Sequence, residues 1–374
     1  MLAMSDKHEQ LEGGQPENPI IAFESERELT LALPPIDYTI PLIFHISDFH
    51  GNILGALRDR VSEKVEETTQ QASPSFTIIY GTRRGGKSSL LHSLEAIVGE
   101  SAVTIDCGGL SQLNQSGFDA TMQSMNLRKG ADPASVKVVL IDELEVILDK
   151  AERLSILQSL AEKGYCSCIT VGFPNINVVE EIEDFSRARG IDYQRINAVS
   201  DEPNWVKAAR LERWLNYIFR AQGIRVAIAE DFLTDLGEFV GWRPYEITII
   251  LRGLMDWYKE DPARIAQGVS VHMTLDAQQL DAFLESNTAH TLLEDHPRND
   301  YKRFIRLLSQ EEQLLLGRLA EEGSILASEQ NLLTFKRLLP SEGIDYFEIV
   351  QVGNEMMIRP KGAYFLHFLH EYFG

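Results

Sequence analysis

Positive charge is scarce in this sequence. Its 374 residues hold 35 lysines and arginines against 56 aspartates and glutamates, a formal net charge of −21 at neutral pH. That balance argues against a broad electrostatic grip on nucleic acid, which needs a basic surface, although a local basic patch stays open. Long apolar runs are missing too. No stretch of about 18 uncharged apolar residues occurs, so no membrane span is expected. The first residues carry Asp6, Glu9, Glu12 and Glu17 and no apolar secretory core, so a cytoplasmic location is expected. The only cysteines are Cys107, Cys166 and Cys168. An odd count with C-x-C spacing fits neither a disulfide framework nor a zinc ribbon, so these are expected as small apolar residues in or near strands. No internal repeat is visible.

What is present is sharper. Hydrophobic residues make up 44% of the chain, enough for packed cores, and the length suggests two or three domains. Phe76-Thr-Ile-Ile-Tyr80 is an apolar run of strand type. It leads into Gly81-Thr-Arg-Arg-Gly-Gly-Lys-Ser88 and then a helical pattern over Ser89–Val98. This is a P-loop in its strand–loop–helix context. Gly81, Gly85 and Gly86 allow positive φ and close backbone approach to a ligand. The N–H groups of Thr82, Arg83, Arg84 and the loop's end, with Ser89 on the helix start, are expected to hold phosphate oxygens. Lys87 is expected at the outer phosphates and Ser88 at Mg²⁺.

A second motif lies downstream. Val136-Lys-Val-Val-Leu-Ile-Asp-Glu143 is a hydrophobic strand ending in two acids, 55 residues from Lys87 to Asp142. In that Walker B arrangement Asp142 is expected to serve Mg²⁺ and Glu143 to act as general base toward water. ATP or ADP with Mg²⁺ is therefore the expected ligand set.

Together, Tyr80-Gly-x-Arg-Arg-Gly-Gly-Lys-Ser-Ser-Leu-Leu91, Val138–Glu143, the strand ending at Asn175 and Gly241-Trp-Arg-Pro244 resemble an AAA+ P-loop ATPase. The resemblance is to the origin-recognition/initiator and archaeal STAND-like branch with a C-terminal winged helix. It implies an α/β core with parallel strands in the order 5-1-4-3-2, a helical lid and a winged helix. It implies a slow, partner-regulated ATPase that yields ADP and phosphate. Sensor 1, a polar group near the γ-phosphate, falls on Asn175 first and Thr170 second. An arginine donated to a neighbouring subunit falls on Arg187 or Arg189, with Arg195 third. In the lid, Arg243 would touch phosphates and Pro244 would flank the base.

The expected segments are an acidic disordered tail (1–33), an N-terminal segment and helix (34–72), the ATPase core (73–200), the helical lid (201–291) and the winged helix (292–374). Leu292–Asp300 reads as a polar linker. Two resemblances meet at Ser47–Asn52. Asp48 and His50 resemble the first motif of calcineurin-like metallophosphoesterases, but that family's later metal motifs are missing, which favours a structural role. Phe49-His50-Gly51 resembles the box that packs on adenine in AAA+ ATPases, with Asn52 where an arginine is usual.

Tyr301–Gly374 holds eight basic and ten acidic residues. Lys336 and Arg337, with Arg359 and Lys361 near the hairpin, form its one set suited to DNA phosphates. Two expectations follow: a switch coupling nucleotide state to DNA or a partner protein, or a STAND-like signalling or defence regulator acting on protein alone. Self-assembly is expected in the first.

Overall fold

The computed structural model describes residues 51–71, 73–108, 137–198, 202–221, 225–260, 272–339 and 344–374. The tail at 1–33 and the readings at Asp48, Phe49 and His50 lie outside the described residues.

Helix α1 (Gly51–Gln71) precedes strand β1 (Ser75–Gly81), which feeds helix α2 (Lys87–Val98). Then come β2 (Ala102–Asp106), β3 (Val138–Asp142), α3 (Lys150–Glu162), β4 (Cys166–Gly172), α4 (Ile176–Arg189) and β5 (Asp192–Asn197). The five strands are parallel in the order β2-β3-β4-β1-β5, as the resemblance implies. Every residue of β1, β3 and β4 is buried. A parallel sheet covered on both faces needs such near-continuous apolar runs. Alternation sorts the side chains. Phe76, Ile78 and Tyr80 meet Ile156, Leu160, Val178 and Ile182 of α3 and α4. Ile79, Leu140 and Cys168 meet Leu57 and Val61 of α1 and Leu90 and Leu94 of α2. Each such leucine or isoleucine contributes about 1.5–3 kcal/mol by leaving water. The three cysteines are free and buried.

The next stretch is largely helical: α5 (Asn204–Ala221), α6 (Glu230–Val240), α7 (Pro244–Glu260), α8 (Ala277–Leu284), α9 (Asn287–Asp295) and α10 (Pro297–Arg306). Two features depart from expectation. Strands β6 (Arg225–Ile228) and β7 (His272–Leu275) form a parallel pair; four residues are too few for alternation to declare itself. Leu292–Asp300, read as a linker, is helical. Pro297 opens α10, where its missing N–H has no partner to lose. Tyr301, Phe304 and Ile305 then bury one side of that helix.

The chain closes with α11 (Gln310–Glu322), β8 (Ile325–Leu326), α12 (Glu329–Phe335), β9 (Phe347–Val352), β10 (Glu355–Pro360) and α13 (Ala363–Phe373). A capping box of Ser309 and Glu312 starts α11. The strands make an antiparallel sheet, β8-β10-β9, with the expected hairpin turning at Gly353-Asn354. Tyr301 packs on Phe365 at 4.8 Å and Phe304 on Tyr346 at 4.5 Å between ring centroids, so α10 belongs to this aromatic core.

This C-terminal assembly meets the α6–α7 joint through two glycines. Gly241 has φ 68° and Gly362 has φ 96°. A Cβ on Gly241 would lie 2.4 Å from the Lys361 carbonyl oxygen, and one on Gly362 would lie 2.5 Å from the Gly241 nitrogen. Only glycine fits either place. Gly362→Ala is expected to lower unfolding stability by about 2–4 kcal/mol, overpacking and backbone strain together, read from the urea midpoint. Among the described residues, no helix is long and apolar enough to cross a membrane.

Candidate nucleotide site

The loop after β1 folds back on itself, with the Gly85 N–H donating to the Thr82 carbonyl at 3.2 Å. Gly86 caps α2 at φ 89°. Lys87, the first residue of α2, is buried. Its Nζ donates to the carbonyls of Thr82 at 2.8 Å and Gly81 at 3.3 Å. Burial lowers the Lys87 pKa; Glu145, Asp142 and Glu143 oppose that fall in this order. Ser88 is partly exposed and Ser89 buried on the same first turn. The unpaired N–H groups and positive dipole end of that turn make an anion site. With the sheet order above, this is the α/β P-loop NTPase fold.

Asp142 ends β3, next to β4 in the sheet. The Thr170 hydroxyl of β4 donates to Asp142 Oδ1 at 2.5 Å and accepts the Glu143 N–H at 2.8 Å. Of the two sensor 1 candidates, Thr170 is therefore the one joined to the acidic pair. Asn175 turns its Nδ2 to the Gly172 carbonyl at 2.9 Å. Glu143 stands in the left-handed region at φ 54°, ψ 49°. A side chain held there over-determines its own direction, a feature that gathers at functional sites. Burial raises the Glu143 pKa, Asp142 adds to the rise and Lys87 opposes it.

Sequence reasoning missed Glu145. Its Oε1 accepts the Gly172 N–H at 2.7 Å, and burial pushes its pKa up against Lys87. A Cβ on Gly172 would fall 2.5 Å from Glu145 Oε1 and 3.8 Å from Lys87 Nζ, so the two groups share one corner. The spacing Asp-Glu-Leu-Glu was a visible signal, but the Walker B pattern stops at Glu143.

Lys87, Glu143 and Glu145 open into one cleft of about 510 Å³. Thr82, Arg83, Lys87, Glu143, Glu145 and Gly172 line the core side. Arg303, Phe304 and Arg306 of α10, with Tyr346, line the other. Phe173 and Phe304 hold the sides together at 5.6 Å between centroids. Arg84, at φ 63°, reaches Asp300 at 2.9 Å and lies 4.2 Å from the Tyr245 ring centroid. The phosphate loop is thus tied to α7 and α10.

No protein-family model and no curated protein matches the chain. Among solved structures, a Walker-type ATPase of Pyrococcus abyssi is similar at 15% identity and TM-score 0.45, over 83% of this chain and 95% of that one. The Thermotoga maritima RuvB Holliday junction branch migration motor is similar at 11% identity and TM-score 0.43, over 81% and 91%. A variant of the same RuvB gives 12% and 0.42, over 88% and 95%. At these scores the functional reading rests on the cleft itself.

Several expected contacts need correcting. Arg243 does not turn to phosphates. Its Nε and Nη2 grip Glu246 at 2.6 Å each, Nη2 also reaches the Tyr301 hydroxyl at 2.9 Å, and Nη1 reaches the Lys361 and Asp345 carbonyls at 2.7 and 3.5 Å. All five N–H donors of the guanidinium are engaged. Burial alone would lower its pKa, but Glu246 outweighs burial and raises it. Pro244 begins α7 and borders a narrow recess with Thr82 and Gly85.

Arg187 and Arg189 sit on the last turn of α4, at the edge of the sheet where β5 begins and away from the P-loop. Arg187 bonds Tyr193, Asp184 and Glu183; Arg189 bonds Gln158 and covers the Phe185 ring. Arg195 on β5 lies over Tyr80.

The expected DNA set is not a free basic patch. Arg337 grips Glu312 at 2.6 and 2.5 Å, because the capping box has already turned that carboxylate inward. Although burial pushes Glu312 up, Arg337 and Ser309 hold it below the usual carboxylate value. Arg359 pairs with Glu348 at 2.6 Å and Lys361 with Asp345. Lys336 lines a groove of mixed charge, with Glu180, Glu183, Glu311 and Glu312 beside Arg195 and Arg337.

Proposed function

We propose that the chain binds ATP with Mg²⁺ in this cleft, hydrolyses it to ADP and phosphate, and works as an AAA+-type switch that couples nucleotide state to a partner protein. The observation that carries the reading is the convergence of Lys87 and Glu143 on one cleft roofed by α10, with Thr170 tying the Glu143 backbone N–H to Asp142 beside it. Lys87 would exchange its loop carbonyls for the outer phosphate oxygens. Glu143, its pKa raised above the ordinary glutamate value by burial, would take the proton of the attacking water. Thr170 would hold Asp142 and the Glu143 backbone in register.

Ser88 and Asp142 would hold Mg²⁺. Among the described residues no three His, Cys, Asp or Glu groups converge as a metal cage. Mg²⁺ needs none: one or two oxygen ligands, phosphates and water suffice, and this hydroxyl and carboxylate are the hard donors it takes. When bound, the ion neutralises charge developing on the phosphate oxygens.

A partner protein is favoured over DNA because Arg337, Arg359 and Lys361 already hold carboxylates. The β8-β10-β9 sheet with α10–α12 supports a winged-helix reading. We place its start at Pro297, where α9 ends and α10 begins. Arg187 and Arg189 would reach a cleft only in a neighbouring subunit, which supports ATP-linked self-assembly.

Calorimetric titration with ATP and Mg²⁺ tests the site. The unsubstituted chain is expected to bind, and Lys87→Ala is expected to lose about 100-fold or more in affinity, one charge-assisted phosphate contact in a buried setting. Equal affinities in the two proteins would remove Lys87 from the site and the reading with it.

A further inference from the structure

We infer that Arg303 and Arg306 of α10 read the terminal phosphate of the nucleotide, supplied within the same chain from the side of the cleft opposite Lys87. The inference rests on the nucleotide reading of the cleft and assigns a function to residues that no motif covers.

Both arginines line the cleft together with Lys87, Glu143 and Glu145. Their spacing of three puts them on one face of α10. The other face is fixed: Tyr301, Phe304 and Ile305 are buried in the aromatic core. The helix therefore cannot turn its arginines away without dismantling that core.

Arg83 lines the cleft from the P-loop side, together with Lys87; other arginines are engaged elsewhere. Arg243 has all five donors placed on Glu246, Tyr301 and two carbonyls. Arg84 is held by Asp300 and Tyr245. Arg187 and Arg189 lie at the far edge of the sheet. Arg303, by contrast, is loosely held. Its ion pair with Asp300 is long, 4.0 Å, and its side chain is 60% exposed. Arg306 is exposed at the end of the same helix.

The chemistry suits the position. A guanidinium presents a planar fork of donors that matches phosphate oxygens, and such contacts are stronger than neutral ones. The cleft also contains Glu143 and Glu145, which would repel an incoming triphosphate. Lys87 and Arg83 face both acids from the core side; Arg303 and Arg306 would add cations on the opposite side, where the outermost charge of ATP, absent from ADP, would lie. Because α10 packs in the C-terminal assembly, the contact would make that assembly's position depend on the terminal phosphate.

The test compares affinities of the full chain for a non-hydrolysable ATP analogue and for ADP, each with Mg²⁺. The unsubstituted protein is set beside R303A, R306A, the double alanine variant and R303K/R306K. Each alanine is expected to weaken the analogue about tenfold while leaving ADP within about twofold, since one charge-assisted hydrogen bond is lost to one ligand only. The lysine pair is expected to restore part of the preference, keeping charge without the fork. An unchanged analogue-to-ADP ratio in the double alanine variant would overturn the inference. So would an equal loss for both ligands, the mark of a roof that merely encloses. If the unsubstituted chain bound neither nucleotide, the cleft reading itself would fall and carry this inference with it; Lys87-dependent binding with an unaltered ratio would sink the inference alone.

Discussion

Glu143→Gln is expected to bind ATP as the unsubstituted chain does and to turn it over about 10²–10⁴-fold more slowly, the range of a lost general base. The substitution preserves shape and removes only the carboxylate. It also leaves the backbone N–H that Thr170 accepts at 2.8 Å, so the turn after β3 keeps its anchor. Phosphate release under single-turnover conditions measures the effect. The pH profile adds an independent check. A base acts in its deprotonated form, so turnover should rise as pH climbs through the Glu143 pKa. Burial and Asp142 raise that pKa above the ordinary glutamate value, and Lys87 opposes them. The acid limb of the profile should therefore lie above the ordinary glutamate range and vanish in the glutamine variant. Equal single-turnover rates would take Glu143 out of the chemistry.

Arg243→Ala is expected to act on stability first. It would leave the Glu246 carboxylate buried with only the Tyr301 hydroxyl donating to it, at 2.8 Å. Burial already pushes the Glu246 pKa up, with Arg243 as the main opposing influence. Removing one partner of such a pair costs about 3–5 kcal/mol, roughly 4–6 °C in melting temperature for a chain of this size. Replacing both partners with apolar residues, as in Arg243→Met with Glu246→Leu, should recover most of that loss. A phosphate-contacting arginine would behave in the opposite way: the single variant would keep its melting temperature and lose ATP affinity. Thermal melting with ligand titration separates the two outcomes.

The P-loop and the acidic strand end were legible because their chemistry is local. Glycines, a lysine and a hydroxyl within eight residues announce a backbone that must approach phosphate, and Val138–Ile141 announces a strand covered on both faces. The partners of Arg243 and Arg337 were not legible. Arg243 meets Tyr301, Asp345 and Lys361, separated from it by 58, 102 and 118 residues. Arg337 meets Glu312 across 25 residues. A sequence shows that an arginine exists, not which carboxylate the fold brings to it. Helix α10 was hidden for another reason: its first turn, with Pro297, Asn299 and Asp300, has the composition of a linker. Its run of large apolar and aromatic side chains starts only at Tyr301.

One consequence follows from the two glycines that meet at the joint between α6 and α7. Backbone touches backbone there, and Arg243 fastens the same place to Glu246, Tyr301 and the strand end at Lys361. The α6–α7 joint and the C-terminal sheet are thus fastened to each other. The near end of this assembly is α10 over the cleft. Its far end is the β9–β10 hairpin, where Val352 and Met356 stand 58% and 47% exposed. Displacement grows with distance from a pivot, so on the proposed switch a small change of angle at the cleft would become a larger swing at Gly353.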